Sequence, residues 1–195
     1  VLAALLDPAI TEIPDPARPL THFIGTSSVD MFSEMMKNAN MHDHSLSITG
    51  GNEKLSFLLS GGYLQEDALY RYGDFGYNRY NFRSNVDFKF TERISLGVRI
   101  SYSHTKADEP VRGWDAEISQ AYNIQPTMPV KWTTTGQWGG NNEGNPIQDL
   151  MEGGHSISNV DHLSISGDLN VNLAKGLVWN TIVGGNLHNA NYPRR

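Results

Sequence analysis

Asn78-Arg79-Tyr80-Asn81-Phe82-Arg83-Ser84-Asn85-Val86-Asp87-Phe88-Lys89-Phe90 decides the fold. Every odd position is polar or charged: Arg79, Asn81, Arg83, Asn85, Asp87 and Lys89. The even positions carry Tyr80, Phe82, Val86, Phe88 and Phe90, broken only by Asn78 and Ser84. Successive side chains of a strand point to opposite faces, so this period of two predicts a strand with one polar and one apolar face. Thr91-Glu92-Arg93 turns the chain, and Ile94, Leu96, Val98, Ile100 and Tyr102 then oppose Ser95, Gly97, Arg99, Ser101 and Ser103. Both strands exceed the roughly 5–6 residues usual in soluble sheets and reach the roughly 9–11 needed to cross a bilayer.

Moving outward, the same pattern appears on both sides. Asp43 to Gly51 places Leu46 and Ile48 on one face, Gly51-Asn52-Glu53-Lys54 is a tight hairpin turn, and Leu55 to Leu64 follows with Leu55, Phe57, Leu59 and Tyr63 aligned. Later, Leu163, Ile165, Leu169, Val171 and Leu173 alternate with Ser164, Ser166, Asp168, Asn170 and Asn172. Ala174-Lys175-Gly176 turns the chain into Leu177, Trp179, Thr181, Val183 and Leu187. Turns at 51–54, 91–93 and 174–176 are short, whereas connections at about 65–76 and 107–158 are long. Alternating short and long connections belong to outer-membrane barrels. Aromatics cluster at both strand ends, with Phe57, Phe88, Phe90 and Trp179 beside the short turns and Tyr63, Tyr80 and Tyr102 at the far ends, as interfacial girdles require. The expected fold is all-β, an antiparallel transmembrane β-barrel to which this chain contributes about six strands.

Before these strands, Pro8, Pro14, Pro16 and Pro19 mark residues 7–19 as an extended connector. Ser27-Ser28 reads as a helix start, and Met31, Phe32, Met35 and Met36 form an apolar stripe on a helix over Val29–Asn38, whose plain role is packing. Residues 1–40 are therefore read as a connector and short helix leading into the barrel, and residues 41–195 as partial barrel with a long extracellular loop at about 107–158.

Composition fits this reading. Of 195 residues, 38% are hydrophobic and only 18% charged, with the balance in small polar residues and glycine, while 10% are aromatic, more than disordered chains carry. A mean hydropathy of −0.42 suits a wall whose alternate residues face a polar lumen. No apolar run approaches the ~18 residues of a spanning helix. A net charge of −6 without a basic stripe argues against nucleic acid as partner. With no cysteine there is neither a disulfide framework nor a thiolate metal site.

Several stretches resemble the SusC/RagA family. Met41 to Gly51 (MHDHSLSITGG) followed by Phe57 to Tyr63 (FLLSGGY) is similar to that family's "hnlsisGG…yflSgGY", and Tyr77 to Asp87 resembles its "f.Rynlr.N.d" strand. Ile94 to Ser103 looks like its "l.lg.nisys", and Gln125-Pro126-Thr127-Met128-Pro129-Val130 with Gly144-Asn145-Pro146 is similar to its "P..pvy…G…NP" loop. The resemblance spans roughly residues 30–190. It implies a 22-stranded TonB-dependent transporter in the outer membrane of a Bacteroidetes-type Gram-negative bacterium, with an N-terminal plug. It also implies a SusD-like surface lipoprotein as lid, a TonB complex acting through the plug and its TonB box, and import of oligosaccharides or peptides. Plug, TonB box and signal sequence are not recognisable in this chain, so it is expected to be an early portion of the barrel.

The candidate site residues follow from the two faces and the long loop. Arg79, Arg83, Asp87 and Arg99 project to the polar face, where they either tune the lumen or form the hydrogen-bond ladder any lumen wall needs, the second being the plainer role. Pairing about the 91–93 turn sets Asn85 opposite Arg99 and Asp87 diagonal to it. Trp114, Trp132 and Trp138 lie in the long loop with Tyr122, Asn141, Asn142 and Asn145. Indole faces and amides suit contact with a sugar or with a lid, or else pack the loop on itself. Trp114 to Asn123 has the length of a short helix with Asp115 and Glu117 in its first turn. The pair His42 and His44 shares a strand face with Leu46 and Ile48 and has no fixed third ligand, and His162 and His188 are placed to meet across their hairpin, so no metal and no cofactor are expected. No nucleophile with a base, no glycosidase carboxylate geometry and no phosphate loop is legible, so no enzyme is expected. The alternative readings are a passive porin or adhesin barrel, which would have no plug before residue 1, and a soluble carbohydrate-binding β-sandwich, which would show shorter strands without girdles.

Overall fold

The computed structural model describes residues 12–14, 23–25, 28–140 and 144–194. Apart from 12–14, the connector expected over residues 7–19 lies outside the described residues, as do Asn141 and Asn142. Two short strands, β1 (Glu12–Pro14) and β2 (Phe23–Gly25), pair antiparallel.

The rest is organised by one six-stranded antiparallel sheet in sequential order: β3 (Met41–Gly51), β4 (Leu55–Asp67), β5 (Gly76–Lys89), β6 (Ile94–Pro110), β7 (His155–Ala174) and β8 (Leu177–Asn191). The strands hold 11 to 20 residues, long enough to cross a bilayer with length to spare. Among the described residues no second sheet packs on this one, unlike in a β-sandwich. The short turns are built by their own side chains. Asn52 Oδ1 accepts from the Lys54 and Leu55 amides at 2.8 and 2.9 Å, Thr91 Oγ1 accepts from Arg93 and Ile94, and Gly176 supplies φ 82°.

Register converts the sequence alternation into rows across the sheet. Ile48, Leu59, Ser84, Ile100, Ile165 and Gly185 are successive cross-strand partners, and Leu46, Gly61, Phe82, Tyr102, Leu163 and Leu187 form the next row. Below them, Phe57, Val86, Val98, Gly167 and Val183 align, then Leu55, Phe88, Leu96, Leu169 and Thr181. Leu46, Ile48, Leu59, Phe82, Ile165 and Leu187 all remain exposed, so this face presents an apolar band to its surroundings.

Aromatic rows close the band. At the far end His44, Tyr63, Tyr80 and His104 are partners in register, with the two tyrosine rings 4.9 Å apart. At the short-turn end Phe88 meets Phe90 edge-on at 4.6 Å, and Trp179 pairs with Val171. His104 to Ile94 on β6 covers about ten residues, or about 34 Å of strand, which a tilt of about 40° reduces to about 26 Å, close to the apolar height of an outer-membrane barrel.

The strands run several residues past the expected ends, so the long connections shrink to 68–75 and 111–154. These connections fold with residues 28–40 into a canopy at the far end of the sheet. It contains α1 (Met31–Met35), α2 (Trp114–Asn123) and α3 (Pro146–Glu152). Its core is Met31, Met35, Tyr70, Phe75, Ala121, Ile124, Ile147 and Leu150, so the methionine stripe packs as the plain reading held. Helix α1 is shorter than expected and starts later. Asp30 caps it by accepting from the Ser33 amide at 3.1 Å, and Lys37 N–H then donates to Leu69 O at 2.7 Å, which draws the chain out of the helix and alongside the 68–75 connection.

Candidate functional site

The second face of the sheet carries the polar positions. In register, Arg79 lies between Leu64 and Thr105, Arg83 between Ser60 and Ser101, Asp87 between Ser56 and Gly97, and Arg99 between Asn85 and Ser166. All four therefore share this face. Arg99 is the most heavily bonded. Its guanidinium donates to Asp87 Oδ1 at 2.6 Å and to Val86 O at 3.2 Å, and lies 3.8 Å from Asp168 Oδ2. Gly97 makes the last approach possible, because a Cβ there would run into the Asp168 carboxylate. Arg99 thus ties β5, β6 and β7 together on the polar face, the ladder role. Arg83 faces a hollow of about 480 Å³ among hydroxyls and amides, including Ser60, Asn81, Ser101, Ser164 and Asn186.

One row higher, His162 and His188 oppose each other with nitrogens 3.1 Å apart, so at least one ring presents an N–H to the other. On the opposite face His42 and His44 lie parallel with centroids 6.5 Å apart. Among the described residues no group of three or more His, Asp or Glu side chains converges.

The three tryptophans lie in the canopy but do different things. Trp114, at the start of α2, stacks on Tyr70 at 5.0 Å and meets Phe75 edge-on at 5.9 Å, while its carbonyl accepts from the Tyr70 hydroxyl at 3.2 Å. Burial, with the nearby charges of Glu117 and Asp115, pushes the Tyr70 phenol up to about 12. Trp132 and Trp138 flank a tight loop in which the Trp132 amide donates to Gln137 O at 2.8 Å. Lys131 Nζ sits 3.9 Å over the Trp138 ring, and Trp138 Nε1 donates to Glu152 Oε1 at 3.1 Å. All three tryptophans are half-exposed, and Trp114 and Trp138 both also pack against the canopy core.

Two residues have parts in the structure other than those expected from their sequence positions. Asn145 is buried and caps α3, accepting from Ile147 and Gln148 while its amide donates to Val130 O at 3.1 Å and to Gly139 O. The signal was present, since Asn followed by Pro is the sequence of a helix N-cap and N1 position. Glu117 was read as a first-turn acid facing the helix dipole, but it is 1% exposed and its Oε2 has no partner. Burial, reinforced by the charge of Asp149 and opposed by Arg112, lifts it to about 7. Nothing in the local sequence separates it from Asp115, which is exposed one turn position away.

No family model matches the chain. A TonB-dependent receptor of Formosa agariphila is 26% identical over 144 residues, which cover 71% of this chain and 13% of that protein. Among solved structures, the RagAB peptide importer in its closed-closed state superposes with a TM-score of 0.64 at 16% identity, over 84% of this chain and 19% of the importer chain. The chain therefore spans less than a fifth of either relative. The sequential sheet of long strands and its apolar band agree with these two likenesses: the chain has the fold of a segment of a TonB-dependent transporter barrel and is similar in sequence to a TonB-dependent receptor.

Proposed function

We propose that the chain forms part of the wall of an energised import barrel, which takes up oligosaccharides or peptides across the outer membrane of a Bacteroidetes-type Gram-negative bacterium. The single observation that carries this reading is the sheet itself, with six sequential strands, an apolar band between two aromatic rows on one face and Arg79, Arg83, Asp87 and Arg99 on the other. In a closed barrel the first face meets lipid and the second lines the lumen. Residues 41–195 then belong to the barrel, and residues 1–40 lead into it. The canopy stands at the long-loop end, on the external side, where the half-exposed Trp114, Trp132 and Trp138 would meet a substrate or a SusD-like lipoprotein lid. A plug with a TonB box, contributed by the rest of the receptor, would couple the barrel to the proton-motive force.

Cell fractionation with an uptake assay tests this. The receptor carrying this chain is expected in the detergent-extracted outer membrane, with a lipoprotein co-purifying. Uptake of its nutrient should stop when the proton-motive force is collapsed by an uncoupler. Uptake that survives the uncoupler would mean a passive porin, and recovery in the soluble fraction would remove the membrane reading altogether.

A further inference from the structure

Where the canopy meets the polar face of the wall, the structure holds a cavity of about 410 Å³, within the size range of ligand pockets. Its wall side is Glu66, Tyr77 and Ala107, successive partners across β4, β5 and β6, with Glu109 two residues further along β6. These positions share the face of Arg79 and Arg83. The canopy side is apolar and aromatic, formed by Met36, Leu69, Tyr70, Trp114 and Ile118. Asp67 borders the cavity from the next position of β4, which in register belongs to the opposite face, and no Lys, Arg or His belongs to the lining.

The charge is uncompensated within the chain. None of the ion pairs among the described residues involves Glu66, Asp67 or Glu109, whereas neighbouring Asp108 is held by His155 at 2.7 Å. The Tyr70 hydroxyl is already spent on the Trp114 carbonyl. The cavity thus offers two carboxylates and ring faces over an apolar floor, with the Tyr77 hydroxyl and the Trp114 indole N–H the side-chain donors on its lining residues besides the Tyr70 hydroxyl. A neutral sugar needs donors as well as acceptors around its hydroxyls. An ammonium or guanidinium on an aliphatic stem matches better, with the stem along Met36, Leu69 and Ile118 and the cation among the carboxylates near the Tyr70 and Trp114 rings.

We propose that this cavity receives the basic side chain of a peptide, which makes peptides rather than oligosaccharides the substrate class. The proposal rests on the import reading above. Its probes are two blocked pentapeptides differing only at the central residue, lysine in one and norleucine in the other, titrated calorimetrically into the complete receptor in detergent. The lysine peptide is expected to bind about tenfold more tightly at 50 mM salt, with the advantage shrinking at 500 mM. Combining Glu66→Gln with Glu109→Gln should remove that advantage and leave the norleucine peptide unchanged. Equal binding of the two peptides by the parent protein overturns the proposal, as does an advantage that survives both substitutions. If the double variant does not insert, the comparison on the parent protein still decides. Binding of a neutral oligosaccharide where neither peptide binds would overturn the peptide proposal while leaving import intact, because import is judged separately by uncoupler-sensitive uptake.

Discussion

The carboxyl of Glu117 lies 1% exposed against the canopy core, one oxygen without a partner, and burial raises it from 4.5 to about 7. Opening the canopy returns the group to water and to its ordinary value. Below about pH 4.5 the acid is protonated in both states and costs nothing. Above about pH 7 it is charged in both, and the closed canopy bears the full penalty of an ionised group in a dry site. Canopy stability therefore falls as pH rises between those values, by about 3 kcal/mol at most. Glu117→Gln removes the titration while keeping the shape. Amide hydrogen exchange over residues 114–124 should show the variant protected about ten- to a hundredfold better than the parent at pH 8, and the two alike at pH 4.5. Equal protection at both values would mean that the site is wetter than its geometry states. Asn145 shows the opposite economy, since the same amide caps α3 and binds two carbonyls of the preceding loop, leaving none of its polar atoms idle.

At the scale of the element, adjacent residues on one strand meet different solvents. Ile165 lies in the middle of the apolar band beside Ile100, and Ser164 next to it points to the polar face beside Ser101. An arginine at the bilayer midplane costs a barrel about 2–4 kcal/mol, while a lumen position has water for it. Ile165→Arg in the complete receptor should lower its unfolding midpoint in lipid vesicles by that amount, and Ser164→Arg should leave it nearly unchanged. Similar losses for both would show that the faces are wrongly assigned. This two-faced order was legible because a strand writes its environment into every second residue, and the 78–90 stretch does so without interruption on its polar face. The short turns were legible for a similar reason, since Asn52, Thr91 and Gly176 make them locally. The canopy was not, because its contacts join distant stretches: Val29 N–H to Pro126 O at 2.7 Å, Met36 beside Tyr70, and Asn145 to Val130. Its helix α2 followed from local pattern, but whether Trp114 or Glu117 would face solvent depended on Tyr70, Phe75 and Asp149, which sequence spacing does not bring near.

Taken whole, the chain exposes 13077 Å². A compact monomer of 21.7 kDa would expose about 9,200 Å². Much of the difference is the open sheet, since Leu46, Ile182, Val183 and Leu187 are each more than two-thirds exposed and all lie on the sheet. Among the described residues the buried core is the canopy's, and it holds the long connections together rather than covering the apolar band. Among the described residues β3 and β8 each keep one edge without a partner strand, a second source of attraction between copies. An apolar face of this breadth and two free edges are stable only where lipid covers the one and further strands pair with the other. Residues 1–195 produced alone in water should therefore not give a monomer. Size-exclusion chromatography with light scattering is expected to show large aggregates without detergent, and strands β3 to β8 should gain protection from exchange only when the rest of the barrel is present. A soluble, folded species near 21.7 kDa would mean that some other surface covers the apolar rows, and the barrel assignment would have to be given up.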